Sequence, residues 1–309
     1  MTDVSVVMPT WNRARFLPAA LESVFAQTVP IREIIIADDG SDAPTRMMLE
    51  KYAAMPGVHV LWRSHCGNPG ALRNAAIREA SGRYIAFMDS DDIWLPQKLE
   101  RQLAALGTRP ELRWSYTAVT FIDGRGQPTS PPGDGTPQAH AGSLVERLAT
   151  LHVDVALPSV LAERALLFQA GLFDENLGCY EDYDLWLRLA MLAEGAAIPE
   201  ALVSLRQHDE HFSRRDPRAA LSGRVNFLSR ALRRVDAPAI RAELRRMRAL
   251  DLAQLANLSA RSGHAGDAAH CLRSSLADGW STPRWWIMAA RTHSHLWNLR
   301  ARRRWEQWW

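Results

Sequence analysis

Long apolar runs are missing from this chain. No window of about 18 consecutive apolar residues occurs, so no helix able to span a membrane is expected. Cysteine is scarce too: Cys66, Cys179 and Cys271 are the only three. They are widely spaced, form no metal-binding pattern and point to a reducing compartment. The first residues lack a basic region followed by an apolar stretch, so no secretory signal is expected and a cytoplasmic location follows. What remains is ordinary for a water-soluble globular protein: 309 residues, 47% hydrophobic and 23% charged. That length suffices for one large or two modest domains.

Net charge is low but unevenly placed. Residues 215–309 carry 18 Arg/Lys against 7 Asp/Glu, a balance of +11, which leaves −8 for residues 1–214. A basic segment can meet anionic lipid, nucleic acid or an acidic partner, or it can be a solvated set of helices.

The acidic front half holds the main signal. Tyr84-Ile85-Ala86-Phe87-Met88 is an apolar, strand-like run that ends abruptly in Asp89-Ser90-Asp91-Asp92. Carboxylates are rarely buried without a partner. Three at a strand exit therefore imply a bound cation, basic side chains or both. The Asp-x-Asp spacing lets two carboxylates converge on a hard, oxygen-seeking metal such as magnesium or manganese. Two further strands end alike. Glu33–Ala37 runs into Asp38-Asp39-Gly40-Ser41, and Val4–Met8 into Pro9-Thr10-Trp11-Asn12-Arg13. In open α/β sheets ligands bind beyond the carboxyl ends of the strands, so one shared site is expected there.

Up to about residue 106 strands and helices alternate. Strands are expected at Val4–Met8, Ile31–Ala37, Val58–Trp62 and Tyr84–Met88. Helices are expected at Ala14–Ala26, with Asn12 as a candidate cap, and at Ala43–Ala54, Pro69–Glu79 and Pro96–Leu106. This alternation argues for a largely parallel sheet. Farther on, Trp114–Ile122 and Ala201–Leu205 read as strands, and Gly124–Gly142 as a Gly/Pro-rich loop. Leu144–Leu151, Ala165–Ala170 and Tyr183–Ala193 read as helices. Beyond about Ala219 the chain is rich in Ala, Leu and Arg. There Ala249–Arg261 and Ala265–Ala277 suggest an antiparallel helix pair joined at Ser262-Gly263-His264, with a domain boundary near 214–218.

Taken in order, five blocks resemble a known family: Val4–Arg13, Ala37–Ser41, Gly70-Ala71-Leu72-Arg73-Asn74, Gly82–Asp92 and Tyr180-Glu181-Asp182-Tyr183-Asp184-Leu185-Trp186. The chain resembles the family-2 inverting glycosyltransferases of GT-A fold over roughly residues 3–214. The resemblance implies a Rossmann-like mixed α/β sheet flanked by helices in a catalytic domain, 1–214. Residues 215–309 would form a helical, basic, Trp/Arg-rich extension. It implies transfer of a sugar from a nucleoside-diphosphate donor, UDP- or dTDP-linked, to a hydroxyl of a glycan, glycolipid or peptide in surface-polysaccharide or glycan synthesis.

Residue by residue, the resemblance makes Asp91 the ligand of a divalent metal (Mn2+ or Mg2+) that neutralises the leaving diphosphate. Asp89 and Ser90 would lie near the ribose and the metal's water shell, and Asp92 could cap the turn toward Trp94 and Pro96. Asp39 would accept a hydrogen bond from the base, with Asp38 supporting its loop. Pro9, Thr10 and Trp11 would contact the base, Trp11 through its flat face. Arg73 would reach the diphosphate or the Asp cluster. Asp182 would be the general base, with Glu181 and Asp184 as close competitors. A late histidine, His208 rather than His211, would reach the metal or diphosphate.

The Arg/Trp composition of residues 283–309 suits contact with a membrane surface, which would make the protein peripheral on the inner face; packing on the protein's own core is the alternative. No nucleic-acid partner is expected, and association between copies of the chain stays open. Two other readings carry less. A sugar-phosphate nucleotidyltransferase would have a basic Gly-rich loop after its first strand, which Pro9-Thr10-Trp11-Asn12 is not. A catalytically inactive nucleotide-binding scaffold would not need Asp89, Asp91 and Asp182 intact.

Overall fold

The structure is a computed structural model and describes residues 3–130, 144–207, 216–278 and 285–294. The chain separates into two compact units, Met1–His211 and Phe212–Trp309.

In the first unit every residue of β1 (Val4–Thr10) is buried. It pairs in parallel with β2 (Glu33–Asp38) on one side and β4 (Tyr84–Phe87) on the other. A strand covered on both edges and both faces needs a mostly apolar sequence, which Val4–Met8 supplies, and the buried Ser5 hydroxyl is satisfied by donating to Glu33 at 2.7 Å. The register sets Thr10 opposite Asp38, so the two polar strand exits lie side by side. Beyond β2 lies β3 (Val58–Trp62), also parallel. Four helices connect these strands and leave the last of them: α1 (Leu17–Phe25), α2 (Ala43–Ala53), α3 (Pro69–Glu79) and α4 (Lys98–Leu106).

The helix starts follow local chemistry. Asp42 caps α2 by accepting from the Thr45 N–H at 3.1 Å, and Asn68 caps α3 through the Ala71 N–H at 3.1 Å. Asn12 does not cap α1. It adopts a left-handed backbone (φ 52°), and its side chain instead accepts from the Asp42 N–H at 2.7 Å. It therefore pins the loop after β1 to the loop after β2, and α1 starts later, at Leu17.

The sheet is not parallel throughout. Its strand order is β3-β2-β1-β4-β8-β6-β9-β5, with β7 (Pro128–Thr129) added to β6. The short strands β5 (Ile93–Trp94) and β8 (Leu161–Glu163) carry too little pattern to be seen in sequence. β8 runs antiparallel between β4 and β6 (Leu112–Ile122). β9 (Glu194–Arg206) is far longer than the Ala201–Leu205 core suggested, and it pairs with β6 in parallel and with β5 antiparallel. Three short helical pieces intervene: α5 (Val145–Ala149), a 3-10 turn (Leu157–Ser159) and α6 (Arg164–Ala170). α7 (Glu181–Leu192) is seated by an aromatic cluster. Its Trp186 stacks on Trp114 at 6.3 Å and meets Phe87 and Phe173 edge-on at 5.5 and 6.2 Å.

The second unit, taken by itself, is helical: α8 (Pro217–Arg234), α9 (Pro238–Arg261), α10 (Ala265–Asp278) and a further helix over 285–294. α9 and α10 form the expected antiparallel pair, turning at Gly263 with φ 82°. Partly buried ion pairs tie α8 to α9, Arg224 to Asp251, and α9 to α10, Arg248 to Asp278. Trp285 is buried against Ala249 and Ala253 and donates to Ser275 Oγ, whereas its neighbours Trp286 and Ile287 are 55% and 53% exposed. At this point the tryptophan-rich end divides its residues between core and surface.

The close seating of Trp114 can be tested. It lies on Gly195, where an added Cβ would come within 2.6 Å of the indole ring, beside a register shift in the β6–β9 ladder. Gly195→Ala should lower stability by ~1–3 kcal/mol through overpacking. Urea unfolding would read this as a lower midpoint, and an unchanged midpoint would show that Trp114 has room to move.

Candidate functional site

The loops after β1, β2 and β4 and the start of α7 converge at the carboxyl ends of the strands. The loop after β2 is tied down first. The Asp39 N–H donates to Thr10 O (3.0 Å), and Asp38 Oδ2 accepts from the Ser41 N–H (3.2 Å). Asp39 is buried. Its Oδ1 accepts from the Cys66 N–H at 2.8 Å, its Oδ2 accepts from the Gly67 N–H at 2.9 Å, and His65 Nδ1 lies 2.9 Å from Oδ2. Asp39 thus organises the loop entering α3, and its Oδ1 retains one more lone pair for a ligand. Trp11 is not core-packed: it is 38% exposed and stacks on the His65 ring at 4.7 Å, 20° from parallel. Two buried oxygens on this crest, Thr10 Oγ1 and Asp38 Oδ1, have no hydrogen-bond partner among the described residues.

The decisive contact is made by Arg73, in α3. Its guanidinium is buried and donates from Nη2 to Asp89 Oδ1 (2.9 Å) and from Nη1 to Glu181 Oε1 (3.0 Å). Burial works against the charge, but Asp89 and Glu181 outweigh it and hold the guanidinium more basic than usual. Arg73 therefore joins the Asp-x-Asp loop to the start of α7 across 108 residues of sequence. Asn74 adds to the joint. Its side chain donates to Phe173 O (2.9 Å) and accepts from the Phe173 N–H (2.9 Å), fixing the segment that leads to Tyr180.

The three candidate bases separate cleanly. Asp184 is fully buried and takes Arg188 at 2.9 Å within α7. Glu181 takes Arg73. Asp182 is partly exposed and accepts from the Tyr183 N–H at 2.8 Å. Its pKa is pushed up to about 7, first by burial and then by the neighbouring Glu181 charge, with Arg73 opposing. A carboxylate tuned near neutrality can exchange a proton with a hydroxyl group at working pH. The residue before this pair, Tyr180, has φ 63°. Such a backbone costs ~1–3 kcal/mol for a non-glycine residue and is the kind of strain that gathers at ligand sites.

The Asp-x-Asp loop is held on its far side by Arg206, at the end of β9. Its N–H donates to Asp92 Oδ1 (2.7 Å), its Nε to Asp91 O (2.8 Å) and its Nη1 to Asp123 O (3.0 Å). Asp92 thus does not cap the turn toward Trp94 and Pro96: it bonds a strand 114 residues away. It is buried, and burial together with Asp91 and Asp89 pushes its pKa well above the usual range. Asp91 faces Arg13 Nε at 3.4 Å. Ser90 and Pro9 are buried beside these groups. His208 and His211 lie outside the described residues, as does most of the expected 124–142 loop.

Among the described residues no three metal-ligating side chains close a cage. The donor set still fits a hard divalent ion. Asp89 and Asp91 are part-exposed carboxylates two residues apart, and their mutual repulsion with Asp92 is the field a cation relieves.

Sequence reasoning did not single out His65, Arg13, Asn74 or Arg206. Arg13 lay inside a motif already noted. His65 and Arg206 lay in no motif, and only long-range contacts give them their place.

In open α/β sheets ligands bind in the crevice beyond the carboxyl ends of the strands, where this sheet gathers its acidic loops around Arg73 and Arg206. Residues 5–124 match the profile described as Glycosyl transferase family 2. A Rickettsia felis protein described as an uncharacterized glycosyltransferase is 30% identical over 231 residues, 75% of this chain and 37% of that protein. The Escherichia coli UDP-Glc:alpha-D-GlcNAc-diphosphoundecaprenol beta-1,3-glucosyltransferase WfgD is 36% identical over 103 residues, 33% of this chain and 40% of that enzyme. The chain spans about a third of the length of the Rickettsia bellii, felis and conorii relatives, between 32% and 37%, and 64% of the Rickettsia prowazekii and typhi ones. The crystal structure of S. aureus TarS 1-349 with UDP-GlcNAc superposes with a TM-score of 0.64 at 19% identity, covering 98% of this chain and 92% of that one. At that identity the likeness shows the fold alone. Over residues 5–124 the chain matches glycosyltransferase family 2, and its fold is of the GT-A type.

The raised carboxyl of Asp182 has a thermodynamic consequence. A carboxyl with a folded pKa above its unfolded value binds its proton more tightly in the folded state. Stability therefore falls as pH rises from about 4 to about 7 and is level above that. Asp182→Asn should remove its share of this slope, so the variant should gain on the wild type between pH 5 and pH 8 in urea unfolding. Parallel pH profiles for the two proteins would show that Asp182 titrates normally.

Proposed function

We propose that this chain is an inverting glycosyltransferase that moves a sugar from a nucleoside-diphosphate donor, UDP- or dTDP-linked, to a hydroxyl acceptor. The observation that carries the reading is the Arg73 bridge. It ties the Asp89–Asp91 loop, where a diphosphate would lie, to the helix start that carries Asp182. In the reaction a new C–O bond forms between the acceptor oxygen and the anomeric carbon. The bond from that carbon to the diphosphate breaks, and its electron pair leaves with the diphosphate. Asp182 takes the acceptor's proton, and a pKa of about 7 suits that exchange. Glu181 holds Arg73 and, by its charge, raises Asp182.

Trp11 offers the base a flat, part-exposed ring, with Pro9 and Thr10 below it. Asp39, supported by Asp38, offers the remaining lone pair of Oδ1 to the base N–H. Asp89 and Ser90 face the ribose. Asp91, with Asp89 beside it, would hold a divalent ion, manganese or magnesium, completed by His208 or by diphosphate and water oxygens. When bound, such an ion neutralises charge on the leaving diphosphate. The UDP-GlcNAc bound to TarS supports a uracil donor, and the lipid diphosphate in the WfgD name supports a glycolipid acceptor.

Thermal unfolding with UDP, dTDP, GDP and CMP, each with and without manganese, tests the donor side. A ligand at a hundredfold excess over its dissociation constant stabilises by about 2.7 kcal/mol. UDP or dTDP should raise the midpoint only with the metal, and Asp91→Ala should abolish the rise. If none of the four shifts the midpoint, this is not a working nucleotide site and the transferase reading falls.

A lipid-linked acceptor would favour residence at the inner face of the membrane. Exposed Trp286 and Ile287 and the surplus of Arg in residues 215–309 support contact with an anionic surface. In flotation with vesicles containing phosphatidylglycerol, the full chain should rise with the lipid, and a chain lacking residues 283–309 should stay behind. Equal behaviour of the two would remove this part of the reading.

A further inference from the structure

We propose that Asp154, Tyr183 and Tyr180 form a subsite for a neutral sugar ring of the acceptor, next to Asp182. The inference rests on the transferase reading and places the acceptor on particular side chains.

Asp154 lies in the short segment before the 3-10 turn, and that segment is fastened to α7 twice. The Tyr183 phenol donates to Asp154 Oδ1 at 2.6 Å, and the buried Trp186 donates from Nε1 to Val155 O at 3.2 Å. Val153 and Val155 are buried, while Asp154 between them is exposed. A solvent-facing carboxylate is thereby held in one place, where a free surface aspartate would swing. Its Oδ1 keeps a lone pair beyond the phenol's bond, and Oδ2 adds two. That is acceptor capacity for hydroxyl donors, of which a sugar ring has several at close spacing. Burial first, and then the Asp154 charge, hold the Tyr183 phenol protonated well above its usual range, so it remains a donor.

Tyr180 stands on the other side of Asp182 in sequence, on the strained φ of 63°. That backbone brings its ring to 5.6 Å from the Tyr183 ring, tilted by 46°. Both rings are part-exposed. Two inclined aromatic faces beside an anchored carboxylate suit a ring with apolar C–H faces and a polar rim. Charge narrows the class further. Asp154, Asp182 and Glu181 cluster here, and a phosphate group placed among them would be repelled, so the ring that binds is uncharged.

The test uses methyl β-glycosides of glucose, galactose and N-acetylglucosamine as probes. Saturation-transfer NMR is recorded on the full chain and on Asp154→Ala, Asp154→Asn and Tyr183→Phe, with and without UDP and manganese. The UDP-induced rise in unfolding midpoint is read on the same samples. At least one glycoside should be saturated by the wild type. Its affinity should fall about tenfold in Asp154→Ala and Tyr183→Phe, the worth of a hydrogen bond to a charged group. Asp154→Asn should keep part of it, and the UDP response should be the same in all four proteins. Equal saturation in all four, or none from any probe on the wild type, overturns the subsite. A UDP response lost only in the variants overturns it too, since these residues would then serve the donor side. A UDP response absent from the wild type sinks the transferase reading and leaves the glycoside result to decide the subsite by itself.

Discussion

The guanidinium of Arg73 sits buried between two carboxylates, and the architecture around it makes sense as a way of holding that arrangement. Taking a charge out of water is costly, and an ion pair recovers the cost only with good geometry and partners for the remaining polar atoms. Here two of the three nitrogens are used, at 2.9 and 3.0 Å, and Nε has no partner. A buried pair of this kind is weak evidence for stability. Its effect is positional: Asp89 and Glu181 cannot move independently, so the loop after β4 and the start of α7 hold a fixed spacing. α3 is the beam for this joint. Asn68 caps it and binds Glu175 O, Arg73 spans the two motifs, and Asn74 grips Phe173 from both sides of its peptide group.

Around that fixed cation lies a crowd of like charges. Asp89, Asp91, Asp92, Glu181 and Asp182 share one small region, and two of them, Asp92 and Asp182, are driven upward in pKa by burial and by their neighbours. Their fates differ because their partners differ. Asp92 is buried under Arg206 and serves to tie β9 to the loop. Asp182 is part-exposed in the strained first turn of α7 and stays able to trade a proton. Two carboxylates with raised pKa values thus divide into a structural and a chemical role by their access to solvent.

The helical second unit follows a different economy of charge. Its arginines are numerous, and several are engaged by acids within the unit, as Arg224 is by Asp251 and Arg248 by Asp278. Trp285 is likewise held inside, while Trp286 and Ile287 face water. Composition read as one Arg/Trp-rich face therefore splits, residue by residue, into internal ties and exposed surface.

The sequence by itself determined the central sheet and the acidic crest. Apolar, β-branched runs at Val4–Met8, broken only by Ser5, and at Ile34–Ala37 mark strands covered on both faces, and local caps at Asp42 and Asn68 start the helices where their side chains reach back to the N–H groups. Asp39, Asp91 and Asp182 were legible because each follows a strand or opens a helix, and Arg73 because it lies in one of the five family blocks. Tertiary structure alone decided how they are used. That Arg73 is buried and not a surface side chain, that Asp184 is occupied by Arg188, that Asp92 bonds a strand end and that Trp11 stacks on His65 are facts of long-range packing. The short strands β5 and β8 belong to the same class: two or three residues carry no period, and only pairing with β9, β4 and β6 makes them strands. Local preference reaches about one turn along the chain, and a contact across 108 residues has no local signature.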